Sequence, residues 1–289
     1  MNPRLFQLKS RCAIAALLLF AALSGSSTLA IAQVQNIPAF WQAGERLAKP
    51  DMSGLQRLRF LTTTDFPPFN FIDRRKRLSG FHVDLARAIC VELGIVEKCQ
   101  IQALPWEELE TAMQSGDGDA IIAGLEVNAA TRAKYEFSRP YLQIPGRFVA
   151  LRSAAFGEPM TANVRSRKTG LITGSQHEKW FKIAFNGASS QSFATRTEAL
   201  AALKAGKIDM LFADAVSMAF WLTSKDANDC CVFAGGPYLS QEYFGHGMAV
   251  AFPKGRADLS AATDYALKQM SEKGIFAELY LRYFPLSLF

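Results

Sequence analysis

The stretch Glu108-Leu-Glu-Thr-Ala-Met-Gln-Ser-Gly-Asp-Gly-Asp-Ala-Ile-Ile-Ala-Gly124 returns as Glu198-Ala-Leu-Ala-Ala-Leu-Lys-Ala-Gly-Lys-Ile-Asp-Met-Leu-Phe-Ala-Asp214, each position 90 residues after its counterpart. Glu108 aligns with Glu198, Met113 with Leu203, Gly116 with Gly206, Asp119 with Asp209 and Ala123 with Ala213. Each copy reads as a helix, a glycine that stops it, and a short buried strand. A solenoid needs at least three repeats, so two copies predict two similar α/β lobes instead.

The surrounding chain agrees. Leu58–Thr62 reads as a strand, broken by Pro67 and Pro68. Val83–Leu93 has apolar residues at 85, 86, 89, 90 and 93, a helical stripe. Residues 99–103 read as a strand, 106–115 as a helix, 119–123 as a short buried strand and 170–173 as another strand. Strands alternating with helices make parallel β-α units. In open α/β sheets ligands lie beyond the carboxyl ends of the strands, here Gly124-Leu125-Glu126 and Asp214-Ala215. Two such edges closing on one small molecule, with a hinge between the lobes, is the architecture this pattern supports.

At the amino end, Arg4, Lys9 and Arg11 precede the apolar run Ala13–Leu23, then a small polar stretch and Ala30-Ile31-Ala32. This is the layout of a secretory signal peptide, with cleavage expected after Ala32. The apolar run is too short to span a bilayer, which needs about 20 residues. Cys12 lies before the run and is not placed as a lipid anchor. The net charge is +6, and residues 1–32 hold three basic and no acidic residues, so the remainder carries +3. Its one dense basic run, Arg74-Arg75-Lys76-Arg77, reads as a solvated turn and not as a nucleic-acid surface. The expectation is an exported, soluble monomer. Residues 33–55, with Pro38, Pro50 and Gly54, read as a surface extension with a short helix over 39–47.

Thr64-Asp-Phe-Pro-Pro-Phe-Asn-Phe followed by Gly80-Phe-His-Val-Asp-Leu-Ala resembles the opening of the periplasmic solute-binding proteins of polar amino-acid ABC transporters. Pro105-Trp106 through Gly124, Arg132 with Phe137-Ser138-Arg-Pro-Tyr141, Gly206 through Asp214, and Gly274 through Tyr283-Phe284 continue the likeness in order over about residues 58–284. The resemblance implies a type II periplasmic-binding-protein fold, two α/β lobes joined by a two-strand hinge. Residues 56–144 plus 245–289 would form lobe one and 145–244 lobe two, with crossings near 142–147 and 243–247. The final helix, carrying Ala266 and Met270 and then Phe276 and Tyr280, would return to lobe one.

The resemblance also implies a ligand-binding set. Arg132 would grip a ligand carboxylate, since a guanidinium fork donates two parallel hydrogen bonds. Its spacing to Phe137 is one residue shorter than the family's usual pattern. Asp214 would take an ammonium group, and also reads as an N-cap for the helix after it. Phe66 and Trp106 would offer ring faces, Thr63 would reach the cleft, and Gly124 ends the first repeat strand. The turn Gly174-Ser175-Gln176-His177 would present backbone amides to the ligand at a helix N-terminus, with Ser175 as N-cap. Glu126 departs from the family's usual Ser or Thr. It pairs with Arg132, points away, faces a ligand that is not an ordinary α-amino acid, or grips a cationic ligand; the sequence leaves these open.

Cys90 and Cys99 are expected to form a disulfide, as in some relatives, and export permits it. A vicinal bond, an intermolecular bond and free thiols all stand open for Cys230 and Cys231. His82, His177 and His246 show no metal-ligand spacing, and no cofactor motif occurs. The expected role is therefore a periplasmic receptor that binds a small polar solute, an amino acid or related compound, and delivers it to a membrane permease. The other reading is an enzyme like the cyclohexadienyl dehydratases on the same scaffold, with a buried Glu126 as general acid.

Overall fold

The computed structural model of the protein describes residues 44–154, 156 and 159–289. The expected signal peptide, residues 1–32, lies outside the described residues, as do 33–43 of the expected extension. The same holds for residues 39–43 of the helix expected over 39–47, and residues 44–47 are not helical.

In chain order the strands are β1 (Leu58–Thr62), β2 (Asp65–Phe66), β3 (Asn70–Ile72), β4 (Leu78–Ser79), β5 (Cys99–Ala103), β6 (Ala120–Ile121), β7 (Tyr135–Phe137), β8 (Gly146–Leu151), β9 (Thr169–Ile172), β10 (Ser190–Phe193), β11 (Met210–Asp214), β12 (Cys231–Tyr238) and β13 (Ala251–Pro253). β2, β3 and β4 make a small antiparallel sheet. The other ten build two five-stranded sheets, ordered β5-β1-β6-β13-β7 and β10-β9-β11-β8-β12. The two orders match strand for strand. β1 pairs in parallel with β5 and β6, and β13 runs antiparallel to β6 and β7. β9 likewise pairs in parallel with β10 and β11, and β8 runs antiparallel to β11 and β12. The sequence repeat is therefore a repeat of architecture.

Its aspartates explain why those positions recur. Asp119 donates its backbone N–H to the Arg59 carbonyl at 2.9 Å and accepts the Arg59 N–H on Oδ2 at 2.7 Å. Asp209 does the same with Lys168, at 2.9 and 2.8 Å. Each aspartate clamps the entrance of its own strand to that of the neighbouring one. Gly116 and Gly206 stop their helices at φ +78° and +67°, with open space where a Cβ would stand, so glycine serves conformation there and not packing. The first repeat helix begins with a 3-10 turn at Trp106–Glu108 before the α-helix Leu109–Gln114, and the second is the helix Arg196–Lys204.

The helix Phe81–Glu92 buries Leu85, Ala86, Ile89 and Cys90, the expected stripe. The expected single final helix is two helices, Ala257–Glu272 and Ile275–Tyr283, separated at Gly274 with φ +76°. Ala266, Met270, Phe276 and Tyr280 all lie in one buried core with Leu58, Phe60, Ala120 and Ile122 of the first sheet and its flanks. The 44–57 segment lies on that core too. Glu45 takes two hydrogen bonds from Arg139 at 2.6 and 2.7 Å, and Met52 and Leu55 pack on the core. The basic run at 74–77 is an exposed turn folded around Asp73, whose Oδ1 accepts the Arg75 and Arg77 N–H groups.

Two segments cross between the sheets. They pair at Leu142 and Met248, through Tyr141 N–H to the Met248 carbonyl at 2.8 Å and Met248 N–H to the Leu142 carbonyl at 2.7 Å. Just past the first crossing, the buried Arg147 donates to the carbonyls of Leu288 at 3.1 Å and Gly235 at 3.0 Å. This joins the carboxyl-terminal segment, whose Leu288 is buried in the core cluster that includes Phe60 and Phe81, to a strand of the second sheet. Among the described residues no helix is long and apolar enough to cross a membrane.

Candidate functional site

Topology brings the two functional edges into relation. Phe137, ending β7, pairs with Ala251, which also pairs with Ile121 at the end of β6. The chain thus leaves the first sheet at the edge that carries Gly124 and Glu126. It enters the second at Gly146, which pairs with Asp214 at the end of β11. The crossing joins one strand-end edge to the other, so the carboxyl-end edges of both sheets lie at either end of it.

On the first edge, Thr63 follows β1 and is buried, its Oγ1 accepting from Asn70 Nδ2 at 2.6 Å. Phe66 is partly exposed and stacks on Phe69 with ring centroids 4.8 Å apart. Gly124 lies against that ring: a Cβ there would come within 2.9 Å of a ring carbon, and φ is +80°. Trp106 is half exposed and borders a cavity of about 230 Å³ with Glu107, Leu125, Thr131 and Lys134. Arg132 lies on the exposed face of the short helix Ala129–Lys134, which Asn128 and Thr131 cap reciprocally. Its guanidinium stands 5.9 Å from the Phe137 ring centroid. Glu126 is exposed, and among the described residues it makes no ion pair with Arg132; its main-chain carbonyl accepts from Thr131 Oγ1 at 2.6 Å. The pairing of the two is therefore not the arrangement adopted here.

On the second edge, Asp214 caps the helix Ala215–Leu222, Oδ1 accepting the Ser217 N–H at 2.7 Å. Its Oδ2 lies 3.9 Å from an Arg196 guanidinium nitrogen. Capping engages one oxygen, and the other makes a long ion pair with Arg196. Ser175 caps the helix Gln176–Ala184 by accepting the Glu178 N–H at 3.0 Å. Glu178 folds back and accepts the Gly174 N–H at 2.6 Å, and Ser175 N–H bonds the Ile172 carbonyl. The donors left at this turn are the first-turn amides of Gln176 and His177, which a helix cannot satisfy internally. Gln176 itself is exposed.

One residue of this edge escaped the sequence reading, and another, His177, was read there only as part of its turn. Arg196 is the repeat counterpart of Trp106, 90 residues on, a signal that the offset itself carried. His177 stacks on Phe244 at 4.5 Å, its Nε2 is buried without a partner, and burial lowers its pKa against the pull of Asp214. The structure does not bring Arg132 and Asp214 into contact; they stand on different edges. Cys90 and Cys99 are disulfide-bonded, joining the end of the helix Phe81–Glu92 to the start of β5. Cys230 and Cys231 form a vicinal disulfide at the start of β12. No group of three or more metal-ligating side chains occurs among the described residues.

Two matched α/β lobes, joined edge to edge by two crossings and bearing charged and aromatic groups on the facing strand ends, define a two-lobed ligand-binding protein. The family described as bacterial extracellular solute-binding proteins, family 3, matches residues 58–286, and the chain belongs to it. The chain is 24% identical over 245 residues to the L-arginine-binding protein of Pseudomonas aeruginosa, covering 84% of this chain and 93% of that one. Among solved structures it is similar to the L-cystine solute receptor of Neisseria gonorrhoeae in the unliganded open conformation. The TM-score is 0.69 at 18% identity, covering 80% of this chain and 94% of that one. An ancestral cyclohexadienyl dehydratase has the same fold, with a TM-score of 0.65 at 20% identity, covering 83% and 99%. The chain thus has the type II periplasmic-binding-protein fold of a family whose named relatives bind amino acids.

Proposed function

We propose that this protein is a periplasmic receptor of an ABC importer. It is exported through a cleaved signal peptide, works as a monomer, captures a small polar solute of the amino-acid class between its lobes and hands it to a membrane permease. Lobe one comprises 56–144 plus 245–289 and lobe two 145–244. The observation that carries the reading is the placement of opposite charges on the two edges that the crossing joins. Arg132 is exposed on the first, and Asp214 on the second keeps one carboxylate oxygen beyond its capping bond. A zwitterion needs one group of each kind. Phe66 and Trp106 supply apolar faces for its side chain, and the Gln176 and His177 amides supply further donors for its carboxylate. Named relatives that bind arginine and cystine support the ligand class.

The test is a thermal-shift screen of the amino acids, because a ligand that binds only the native state raises its apparent stability. For the ligand found, Arg132→Ala and Asp214→Ala should each leave a buried ligand charge unpaired, costing about 3–5 kcal/mol. Affinity should fall by about two to three orders of magnitude. Wild-type affinity in both variants refutes the site. Glu126→Ser separates the remaining roles of Glu126: it abolishes binding of a cationic ligand if Glu126 grips one. The dehydratase reading needs a protonated carboxylic acid held by burial. Glu126 is exposed, which argues against it. Turnover of prephenate or arogenate by the purified protein would reverse that judgement.

A further inference from the structure

Behind the first edge runs a chain of four buried polar side chains, of which the binding set includes only Thr63. Asn70 Nδ2 donates to Thr63 Oγ1 at 2.6 Å, which leaves Asn70 Oδ1 as acceptor for His82 Nδ1 at 2.8 Å. Nδ1 therefore carries the imidazole proton, Nε2 is the acceptor, and the Tyr141 hydroxyl donates to it at 2.9 Å. Thr63, Asn70, His82 and Tyr141 are each at most 3% exposed. Burial keeps the ring neutral, lowering its pKa to about 3.

The two ends of this chain are different parts of the machine. Thr63 opens the turn that carries Phe66. His82 also holds that turn by its main chain, donating N–H to the Phe69 carbonyl at 2.8 Å, while Phe81 N–H bonds the Pro68 carbonyl at 3.0 Å. This close approach requires Gly80, where a Cβ would stand 2.2 Å from the Phe69 oxygen. Tyr141, at the other end, bonds Met248 where the two crossings pair.

We propose that His82 is a positioning residue that couples the Phe66 turn to the first hinge crossing, making the segment 63–70 and Tyr141 one rigid body on which the hinge turns. The three side-chain bonds that link its members run with matched polarity. Displacing either end strands a buried polar group, and that cost transmits the position of one end to the other. The coupling belongs to the receptor reading: a lobe that closes about the crossing does so against a ligand-side turn held in place from behind.

Tyr141→Phe and Thr63→Val each remove one hydroxyl, at opposite ends, with little change of shape. Hydrogen exchange of the ligand-free protein should show the Phe69 and His82 amides exchanging about tenfold faster in Tyr141→Phe. The Tyr141 and Met248 amides should do so in Thr63→Val, with Val149 and Leu211 in the second sheet unchanged, since amide protection reports local opening. The ¹⁵N shifts of the His82 ring should report a proton on Nδ1 in the wild type and move in both variants. Unchanged far-end protection in both variants overturns the proposal, as does a uniform loss of protection over both sheets. If Thr63→Val does not fold, Tyr141→Phe with the ring shifts decides alone. With L-arginine as probe in the same proteins, a wild type that binds neither it nor any other amino acid refutes the receptor reading, while the ligand-free exchange still decides the coupling.

Discussion

Glu178 gathers Lys182 Nζ at 2.7 Å, Ser192 Oγ at 2.5 Å and the Gly174 N–H at 2.6 Å. Led by the Lys182 bond, these hold its pKa at about 2 against burial. The folded value lies below the ordinary 4.5, so the stabilisation is fully present above pH 4.5 and is lost as pH falls towards 2. Glu178→Gln should cost up to about 3 kcal/mol at neutral pH. The gap in melting temperature between wild type and variant should be at its full size above pH 4.5 and close between pH 4.5 and 2. A gap independent of pH contradicts this account. Ser175 was legible as a cap because Ser-x-x-Glu is a local pattern. Asp214 was legible because it ends a repeat. His82 was not, because its partners Asn70 and Tyr141 lie 12 and 59 residues away and no periodicity connects them. The exposure of Glu126 is likewise a matter of how the loop after β6 turns, which residue types alone do not specify.

The paired aspartate clamps make a prediction for the strands. Asp119→Ala and Asp209→Ala each leave a strand-entrance N–H without its acceptor, at a cost of about 1–3 kcal/mol. Melting temperature should drop by about 2–4 °C per kcal/mol in a chain of this size. The two sites lie in different sheets and share no partner, so the double variant should show the sum to within about 0.5 kcal/mol. A double variant no less stable than either single one would mean the clamps act as one unit. The repeat, the glycine stops and the strands at 58–62 and 99–103 were legible because period and punctuation are local. The split of the last helix was less so: the apolar spacing from Ala266 to Tyr280 runs straight through it. Only the left-handed backbone at Gly274 ends one helix and starts the next.

For the whole molecule, a ligand that touches both edges makes its full contacts only when they approach, and it should shift the population towards closure. Small-angle scattering at saturation with the ligand found by screening should give a smaller radius of gyration, and an unchanged radius counts against the hinge. Denatured but unreduced protein should leave Cys90, Cys99, Cys230 and Cys231 unreactive to thiol reagents, and full labelling of any of these pairs removes that bridge. The two-lobed plan was legible from the repeat, but the crossing geometry was not, since it depends on which strand edge each passage leaves and enters. That geometry also sets an order of assembly. The second sheet draws all five strands from one unbroken stretch, residues 146–238, whereas the first waits for β13 at 251–253 to stand between β6 and β7. The strand that completes the first sheet therefore follows all five strands of the second along the chain. In a chain emerging amino end first, the lobe that begins the sequence is the one that finishes folding last.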